Sequence, residues 1–307
     1  MRFVLATEPQ LGGTYEDLLA AALAAEHGGL EGFSRSDHYY SGQPGLPTTD
    51  AFVSLGGLAR ETNTIRLCLL VSPITFRHPS VIAKAAASLD QMAQGRFDLG
   101  LGTGWMEEEH QAFGIPLPPT SERFQRLEEA LRYMRASIAG IEYEGSYYRL
   151  KADVRPRPEA LRLIVGGSGS KKTPAIAGRL ADEYNLPLDS PRDVAIKIKR
   201  MEDAAVAEGR NPRDITVSLL GPGLLAKSQK QSLALIRQAA EARGQGVKEL
   251  EDRWRNSWVP AGPYAQAAEA FAAFEAVGVS KYYLQCFDLS NRAGIAGQVD
   301  LASQLMG

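Results

Sequence analysis

The stretch "FRHPSVIAKAAASLDQMAQGRFDLGLGTGW" (residues 76–105) reads as a helix followed by a strand. Pro79 is tolerated at a helix start, and the pattern behind it predicts a helix over 80–93. Apolar residues then predict a buried strand over 96–102, which ends among the glycines Gly100, Gly102 and Gly104. Glycine permits a positive φ or the close approach of another group, here either a neighbouring helix or a flat ligand. The stretch therefore predicts a helix–strand unit with a candidate ligand site at its end.

The same alternation of strands and helices runs along most of the chain. Strands are predicted at 2–6, 32–36, 65–71, 96–102, 161–167, 182–186, 214–221 and 280–286. Helices are predicted at 15–28, 50–62, 80–93, 121–139, 172–181, 192–209 and 264–278. Alternation of this kind indicates a parallel sheet, and eight units suit a closed (β/α)8 TIM barrel, with a doubly wound open sheet as the alternative. We expect one such domain over residues 1–307.

Between these units, some segments show no regular pattern. They are residues 40–48, 112–120, 143–160 and 222–262. The last segment is long enough to be an insertion or a lid before the final helix–strand unit.

The composition narrows the class of protein. With 34 basic and 36 acidic residues, the net charge of −2 gives no footprint for nucleic acid or an anionic membrane. No stretch approaches the roughly 20 apolar residues of a membrane span, and the start lacks the apolar core of a signal peptide. The two cysteines, Cys68 and Cys286, are too few for a disulfide scaffold. We therefore expect a cytoplasmic globular protein.

Polar residues follow the second predicted strand in "SDHYY" (36–40). If the fold is a barrel, chemistry gathers at the carboxyl ends of its strands, where this segment lies. His38 could donate or accept a proton there, because its ordinary pKa lies near working pH. The alternative is that Asp37 caps a turn and His38 faces solvent.

The fifth predicted strand ends in "GGSGSKKTP" (166–174). A turn of Gly166, Gly167, Ser168 and Gly169 that leads into a helix presents backbone N–H groups, and such a nest binds phosphate. The spacing does not fit a Walker A motif. The alternative is a structural glycine-rich turn followed by solvated lysines.

Metal binding is not predicted. His27 and His110 lie in helical contexts with no partner at ligand spacing, and the cysteines are solitary. The run "EEE" (107–109) is interpreted as the solvated first turn of a helix, where acidic residues interact favourably with the helix dipole.

Taken together, these motifs resemble the luciferase-like monooxygenase superfamily of flavin- and F420-dependent enzymes. Residues 76–105 carry the resemblance, with an Arg-His-Pro start, an alanine-rich helix, a Leu-Asp pair and a glycine-rich strand. "SDHYY", "PRPEALRLIVGGSG" (156–169) and "ADEYN" (181–185) follow the expected order around it. The resemblance covers residues 2–220 and, more loosely, the final helix–strand unit.

The resemblance implies a TIM barrel that holds an isoalloxazine or deazaflavin ring at its carboxyl-end mouth. It also implies a non-prolyl cis peptide after the third strand, at Leu70–Val71, in a bulge that supports the ring. Gly102 and Gly104 would then leave space for the ring and its ribityl chain. The cofactor-binding residues expected on this basis are Asp37, Leu70, Val71, Ser72, Thr103, Gly104, Trp105, Glu108, Gly166, Gly167, Ser168 and Gly169.

Within the superfamily, the sequence is most similar to the F420-dependent branch. Asp37-His38 and Thr103-Gly104 match the Asp-His and Thr-Gly pairs of F420-dependent sugar-phosphate and alcohol dehydrogenases. Those dehydrogenases carry a catalytic Glu after Thr-Gly, whereas this chain has Trp105, which argues against a sugar-phosphate dehydrogenase. Glu107 and Glu108 lie near the matching position but not at it.

The function expected from the resemblance is hydride transfer between F420 and a small organic substrate, with His38 as the acid/base. The alternatives are an FMN-dependent monooxygenase and a non-catalytic flavin-binding barrel. The family also implies a homodimer through the second and third helices. Polar side chains predicted at the mouth suit a polar or amphipathic substrate; they are Gln10, Trp105, Asn185 and Gln285.

Overall fold

In the computed structural model, which describes residues 1–42, 45–242 and 245–306, the strands appear in the predicted order. The strands are Arg2–Thr7 (β1), Gly32–Arg35 (β2), Arg66–Pro73 (β3), Phe97–Gly102 (β4), Tyr143–Glu144 (β5), Arg149–Leu150 (β6), Arg162–Gly166 (β7), Glu183–Pro187 (β8), Thr216–Pro222 (β9), Leu224–Ala226 (β10), Ala261–Pro263 (β11) and Lys281–Cys286 (β12). Eight of them close into a barrel in the order β1, β12, β9, β8, β7, β4, β3, β2. All neighbours in the barrel are parallel. The predicted TIM barrel is confirmed, and the open sheet is excluded.

Helices connect the strands around the outside of the barrel. They are Tyr15–His27 (α1), Ala51–Glu61 (α2), Pro79–Met92 (α3), Glu107–Phe113 (α4), Thr120–Ala139 (α5), Lys172–Leu180 (α6), Pro191–Ala207 (α7), Gln229–Ala242 (α8), Val247–Asn256 (α9), Tyr264–Glu275 (α10) and Arg292–Gln304 (α11). Several begin at a side-chain cap, such as Thr14 for α1, Asp50 for α2 and Ser190 for α7. Each cap accepts a hydrogen bond from a first-turn N–H group that would otherwise lack a partner. None of the helices that the structure describes has the length and apolar character needed to span a bilayer.

The apolar core has two layers because side chains alternate along each strand. In β1, Phe3 and Leu5 belong to the large cluster between the barrel and its helices, whereas Val4 and Ala6 belong to a small cluster inside the barrel. Most of the core is therefore outside the strands, and the interior keeps room for polar groups.

At the amino ends of the strands, buried charges are paired. Asp98 accepts hydrogen bonds from Arg162 (2.6 and 2.8 Å) and from Arg66. Glu183 accepts from Lys281 at 2.7 Å and from the Tyr283 hydroxyl at 2.9 Å. These clusters hold neighbouring strands together below the carboxyl-end mouth.

Three of the segments expected to be irregular contain regular structure. Residues 143–160 carry the antiparallel pair β5–β6, and residues 222–262 carry β10, α8, α9 and β11. In α9 the buried residues Leu250 and Trp254 are four apart, which is a helical spacing. Helix α4 extends into 112–120 as far as Phe113, and α11 was not predicted. The prediction of an insertion before the last helix–strand unit is correct in place, but its description as irregular is wrong.

Candidate active site

A pocket of about 530 Å³ opens at the carboxyl ends of the barrel strands. Its lining includes His38 and all four polar residues expected at the mouth, which are Gln10, Trp105, Asn185 and Gln285. Of the expected cofactor-binding residues, the lining includes Leu70, Val71, Thr103, Gly104, Trp105, Gly166, Gly167 and Ser168. The barrel therefore brings most of the predicted site together at one mouth.

A bulge in β3 forms one wall of this pocket. The pairing of β3 with β4 shifts register between Leu69 and Ser72, and the Leu70–Val71 peptide is cis, as the resemblance implied. A Cβ atom added to Gly100, Gly102 or Gly166 would lie only 2.7 Å from a methyl carbon of Val71. These glycines thus make room for the Val71 side chain. Gly102 lines the pocket as well.

Gly104 differs from Gly100 and Gly102 because its backbone adopts a positive φ. Its φ is +76°, and an added Cβ would lie 2.8 Å from Thr75 Oγ1. Its carbonyl accepts a hydrogen bond from Arg123. Glycine is therefore required where the chain turns from β4 towards α4, and this turn lines the pocket.

His38 faces the pocket and is paired behind with Glu109. Its Nδ1–H donates to Glu109 Oε2 at 2.9 Å, and the side chains are 21% and 1% exposed. Glu109 also accepts from the backbone N–H groups of Tyr39 and Tyr40, the latter at 3.1 Å. Because three donors converge on it, Glu109 is held in one position.

Glu109 corrects the interpretation of the acidic run. Glu107 and Glu108 are exposed, but Glu109 is buried, so the run is not simply a solvated helix turn. Glu108 lies outside the pocket lining, whereas Glu109 belongs to it. Within this acidic run, the carboxylate that lines the pocket is therefore Glu109, one residue beyond the predicted Glu108.

The environment of His38 shifts its pKa upwards. Burial alone lowers the pKa of an imidazole, but the hydrogen bond and the negative charge of Glu109 outweigh it, with smaller contributions from Glu8 and Asp37. The imidazolium form is therefore favoured at this position. Such a group can hold a proton beside a ligand and release it.

Asp37 and Ser72 are displaced from their predicted place. Both are buried, and neither belongs to the pocket lining. The Ser72 hydroxyl donates to Asp37 at 2.7 Å, and Arg77 forms ion pairs with Asp37 and Asp50. Burial lowers the pKa of Arg77, but Asp37, Tyr39 and Asp50 together raise it by more, so the guanidinium stays charged. This cluster ties the end of β2 to the bulge and supports the pocket from behind.

His110 was missed in the sequence. It is buried and lines the pocket. Its Nδ1–H donates to the Met106 carbonyl at 2.7 Å, so in the neutral ring Nε2 accepts from Thr75 Oγ1 at 2.8 Å. Both ring nitrogens are used to fix the turn that contains Gly104. In the sequence, only the i, i+4 spacing of Met106 and His110 indicated the bond between them.

The glycine-rich turn after β7 forms another part of the pocket wall. Gly166, Gly167 and Ser168 line the pocket, whereas Gly169 does not and an added Cβ there would contact Phe124. The next helix, α6, begins at Lys172 without a side-chain cap, so its first N–H groups have no side-chain acceptor. A turn of this form can hold an anion.

The lysines that follow the turn face a separate groove. Lys171 and Lys172 line a space between α5 and α6, and Lys172 Nζ lies 5.3 Å from the ring of Phe124. They therefore do not line the main pocket.

Amide groups complete the floor of the pocket. Asn185 Nδ2 donates to Ser218 Oγ at 2.9 Å, and Ser218 donates to Glu183 at 2.7 Å. On the other side, Glu8 accepts from Gln10 at 2.8 Å and from Gln285 at 2.6 Å. These bonds fix which amide atoms the floor can offer to a ligand. Within the described residues, no group of His, Cys, Asp and Glu side chains is arranged to hold a metal ion.

The fold and the site define a TIM-barrel protein with a cofactor-sized pocket, a bulged third strand and a His–Glu pair at its mouth. The luciferase-like monooxygenase family model matches residues 1–281. The chain belongs to this family.

Curated relatives match part of the chain. The F420-dependent glucose-6-phosphate dehydrogenase of Microbacterium testaceum (strain StLB037) is 38% identical over 177 residues, which cover 55% of this chain and 51% of that protein. The F420-dependent glucose-6-phosphate dehydrogenase of Kineococcus radiotolerans (strain ATCC BAA-149 / DSM 14245 / SRS30216) is 34% identical over 212 residues, 64% of this chain and 62% of that protein. The matched part of the chain thus spans about half to three-fifths of these relatives.

Solved structures share the fold over nearly the whole chain. Monooxygenase RslO1 from Streptomyces bottropensis superimposes with a TM-score of 0.84 at 22% identity, covering 99% of this chain and 98% of that one. An F420-dependent secondary alcohol dehydrogenase in complex with an F420–acetone adduct gives 0.81 at 19% identity, covering 99% and 97%. At these identities the likeness is one of fold alone.

Proposed function

We propose that this protein is an F420-dependent oxidoreductase that transfers a hydride between the deazaflavin and a small organic substrate. The observation that carries the proposal is the His38–Glu109 pair, which opens onto the pocket beside the Val71 bulge. The F420-dependent names of the relatives in Microbacterium and Kineococcus support the choice of cofactor.

The residues present fit such a cofactor. A volume of about 530 Å³ lies within the usual range of small-molecule sites. Leu70, Val71, Thr103, Gly104 and Trp105 would surround the ring. The Gly166–Ser168 turn would hold the phosphate through backbone N–H groups other than that of Gly167, which donates to the Asn185 carbonyl at 3.3 Å. When bound, the deazaflavin supplies a ring carbon that accepts or gives a hydride.

His38 is proposed to hold and move the proton. Because Nδ1 is occupied by Glu109, Nε2 is the nitrogen that remains for the substrate, and it has no hydrogen-bond partner among the described residues. During oxidation of an alcohol, Nε2 accepts the hydroxyl proton; during reduction of a carbonyl, it returns that proton. Glu109 acts through His38 as a positioning residue.

Separate titrations with F420 and FMN, followed by fluorescence quenching, test the cofactor assignment. We expect F420 to bind at least tenfold more tightly than FMN, since the relatives in Microbacterium and Kineococcus are F420-dependent by name. Tight binding of FMN with weak binding of F420 would instead favour an FMN-dependent monooxygenase. Binding of either cofactor without turnover of any substrate would favour a non-catalytic barrel.

A homodimer through α2 and α3 remains part of the proposal. Val53 on α2 and Val81 on α3 are 75% and 54% exposed, and α2 packs beside α3. Apolar side chains exposed on neighbouring helices are suited to burial between copies. We expect light scattering at micromolar concentration to give twice the chain mass, and a monomer there would contradict the proposal.

We also propose a cytoplasmic location. Cys68 and Cys286 are both free, and no disulfide joins the described residues. Free thiols suit a reducing compartment. Fractionation of the native host, with the protein detected by antibody, would test the location directly.

A further inference from the structure

A second cavity lies beside the main pocket, between the insertion and the end of β12. We call it the side cavity; its volume is about 230 Å³, and its lining includes Leu224, Leu235, Trp254, Leu284, Phe287 and Ile295. Gln285 and Phe287 line both the side cavity and the main pocket. The two spaces are therefore neighbours across one pair of residues.

Most polar groups in the lining of the side cavity already have hydrogen-bond partners within the protein. Gln298 uses both ends of its amide on the backbone of Leu225, at 2.9 Å each. Asn291 accepts from the Gly294 N–H, and Asp288 accepts from the N–H and hydroxyl of Ser290. Gln285 donates to Glu8, and Gln238 adds a further amide to the lining. Because most of these polar groups bond within the protein, an alkyl or aryl group would meet mainly carbon atoms.

The rim of the main pocket is also apolar. Leu11, Trp105 and Phe287 line the mouth and are 43%, 70% and 38% exposed. Large exposed apolar side chains around a cleft indicate a surface that a ligand covers. Phe287 belongs to both the rim and the side cavity, so the two apolar surfaces meet at this side chain.

Lysine and arginine side chains are missing from the described lining. Neither the main pocket nor the side cavity is lined there by a lysine or arginine. Both ring nitrogens of His110 are bonded, to Thr75 and Met106. The charge of a protonated His38 is matched by Glu109. Glu8 adds a negative charge to the wall. A substrate phosphate there would lose its hydration and find no arginine or lysine partner in exchange.

From these observations we infer that the side cavity binds the apolar part of an uncharged alcohol, or of the matching carbonyl compound, and that sugar phosphates are not substrates. The inference rests on the proposed function. In the oxidation, the C–H bond of the carbinol breaks and its hydride reduces the deazaflavin. The hydroxyl proton passes to His38 Nε2, and a C=O bond forms. The chain would thus differ in substrate from the relatives named for glucose 6-phosphate.

Kinetics with F420 and secondary alkanols, from isopropanol to 2-octanol (called octanol below), test the inference. We expect kcat/KM to rise about fourfold for each added methylene until the side cavity is filled. Glucose 6-phosphate at the same concentrations should give no turnover. A flat dependence on chain length, or turnover of glucose 6-phosphate alone, would overturn the inference.

Two variants on the same helix locate the effect. Leu235→Ser, in the side cavity, should lower kcat/KM for octanol about fivefold and leave that for isopropanol unchanged. Leu233→Ser is the matched control, because Leu233 lines neither space. Equal effects of both variants would overturn the assignment to the side cavity.

A binding measurement separates this inference from the proposed function. Ligand-observed NMR with octanol and the full chain as purified reports the side cavity directly, and Leu235→Ser should abolish the signal that Leu233→Ser keeps. If F420 fails to quench while this pattern holds, the cofactor proposal fails and the apolar site stands. If F420 binds and octanol shows no Leu235-dependent signal, the apolar site is wrong.

Discussion

The two ends of the barrel bury charge in different ways. At the amino ends of the strands, Asp98 is paired with two arginines, and Glu183 is paired with Lys281. At the mouth, Glu109 is equally buried, but its partner His38 keeps one ring nitrogen on the pocket side. Charges that only hold the barrel together are fully matched, whereas the pair at the mouth leaves one group open to a ligand.

The pKa shifts follow the same division. Burial raises the pKa of Asp98, but Arg162 and Arg66 together lower it below its ordinary value. Burial lowers the pKa of Lys281, but Glu183 and Glu31 raise it. Both groups therefore stay ionised throughout the neutral range. Of these three groups, His38 is the one whose ordinary pKa lies near neutrality, and its surroundings raise that pKa.

The comparison is tested most strongly by replacing His38. His38→Asn keeps a polar side chain but removes the titrating ring, so turnover should fall by at least about 10²-fold. Cofactor affinity should change much less, because the bulge and the glycine-rich turn stay intact. Steady-state kinetics and F420 titration of the same preparation measure both. The exposed His27→Asn is the control and should behave as wild type.

Near-normal turnover of His38→Asn at every pH tested would remove His38 from the mechanism. Loss of F420 binding would instead make it a ring-positioning residue.

At the other end, Asp98→Asn should affect stability and leave the site alone. The variant leaves Arg66 and Arg162 without their carboxylate, and we expect a loss of about 3 kcal/mol in the free energy of unfolding. Urea unfolding measures the loss, and F420 affinity should be unchanged. Asp203→Asn, in the exposed pair with Lys199, is the control and should cost nothing measurable.

The loss of folding stability at low pH gives a second measurement for Asp98. Its pKa is lower in the folded protein, so the carboxylate stabilises the fold above its unfolded pKa of about 3.9 and loses this contribution as pH falls through the folded pKa. Asp98→Asn should therefore lose stability less steeply in acid than wild type. Parallel acid limbs would contradict this account.

The barrel could be predicted from the sequence because each strand carries its own local pattern. Arg66–Pro73 and Phe97–Gly102 are apolar runs with clear ends, and the observed bounds of the barrel strands agree with the predicted ones within two residues. The cis peptide at Leu70–Val71 came from the family resemblance, since its neighbours in sequence show nothing unusual. Periodicity thus predicts elements, while the bulge required knowledge of related chains.

Contacts between helices and strands were harder to predict from the sequence. Glu107, Glu108 and Glu109 are equivalent in sequence, and only the turn at Gly104 decides which of them reaches His38. The packing of Gly102 against Val71 was not predicted, because Val71 lies on another strand. The same reason explains why Asp37 and Ser72 were expected in the pocket and are found behind it.

The glycine-rich turn allows a smaller test of the mouth. Gly167 has φ +153°, and a side chain there would also cover the backbone nest proposed for the phosphate. Gly167→Val should weaken F420 binding by more than about 1 kcal/mol, roughly fivefold in Kd. Gly209→Val is the matched control, because Gly209 also has a positive φ but contacts no ligand wall. Unchanged affinity in Gly167→Val would show that the turn is only structural.

The finest test separates Glu109 from its neighbour. Glu109→Gln keeps an oxygen that can accept from the Tyr39 and Tyr40 N–H groups but removes the charge that raises the pKa of His38. Burial then dominates, and the pKa of His38 should fall. In alcohol oxidation, where Nε2 must be unprotonated to accept the proton, the acid limb of kcat/KM should therefore move to lower pH.

The contribution of the His38–Glu109 pair to folding stability should depend on pH in the opposite direction to that of Asp98. A raised folded pKa means that the His38–Glu109 pair stabilises the protein fully below the unfolded histidine pKa of about 6.5 and loses this contribution as pH rises through the folded value. Glu109→Gln should therefore be less stable than wild type in mild acid and closer to it in alkali. The pH–rate profile and urea unfolding at several pH values measure the two effects. Glu108→Gln is the control, because Glu108 is exposed and outside the pocket. If the acid limb of kcat/KM moves in Glu108→Gln and not in Glu109→Gln, the buried carboxylate has no influence on His38. The charge pair at the mouth would then be no different from the paired charges at the amino ends of the strands.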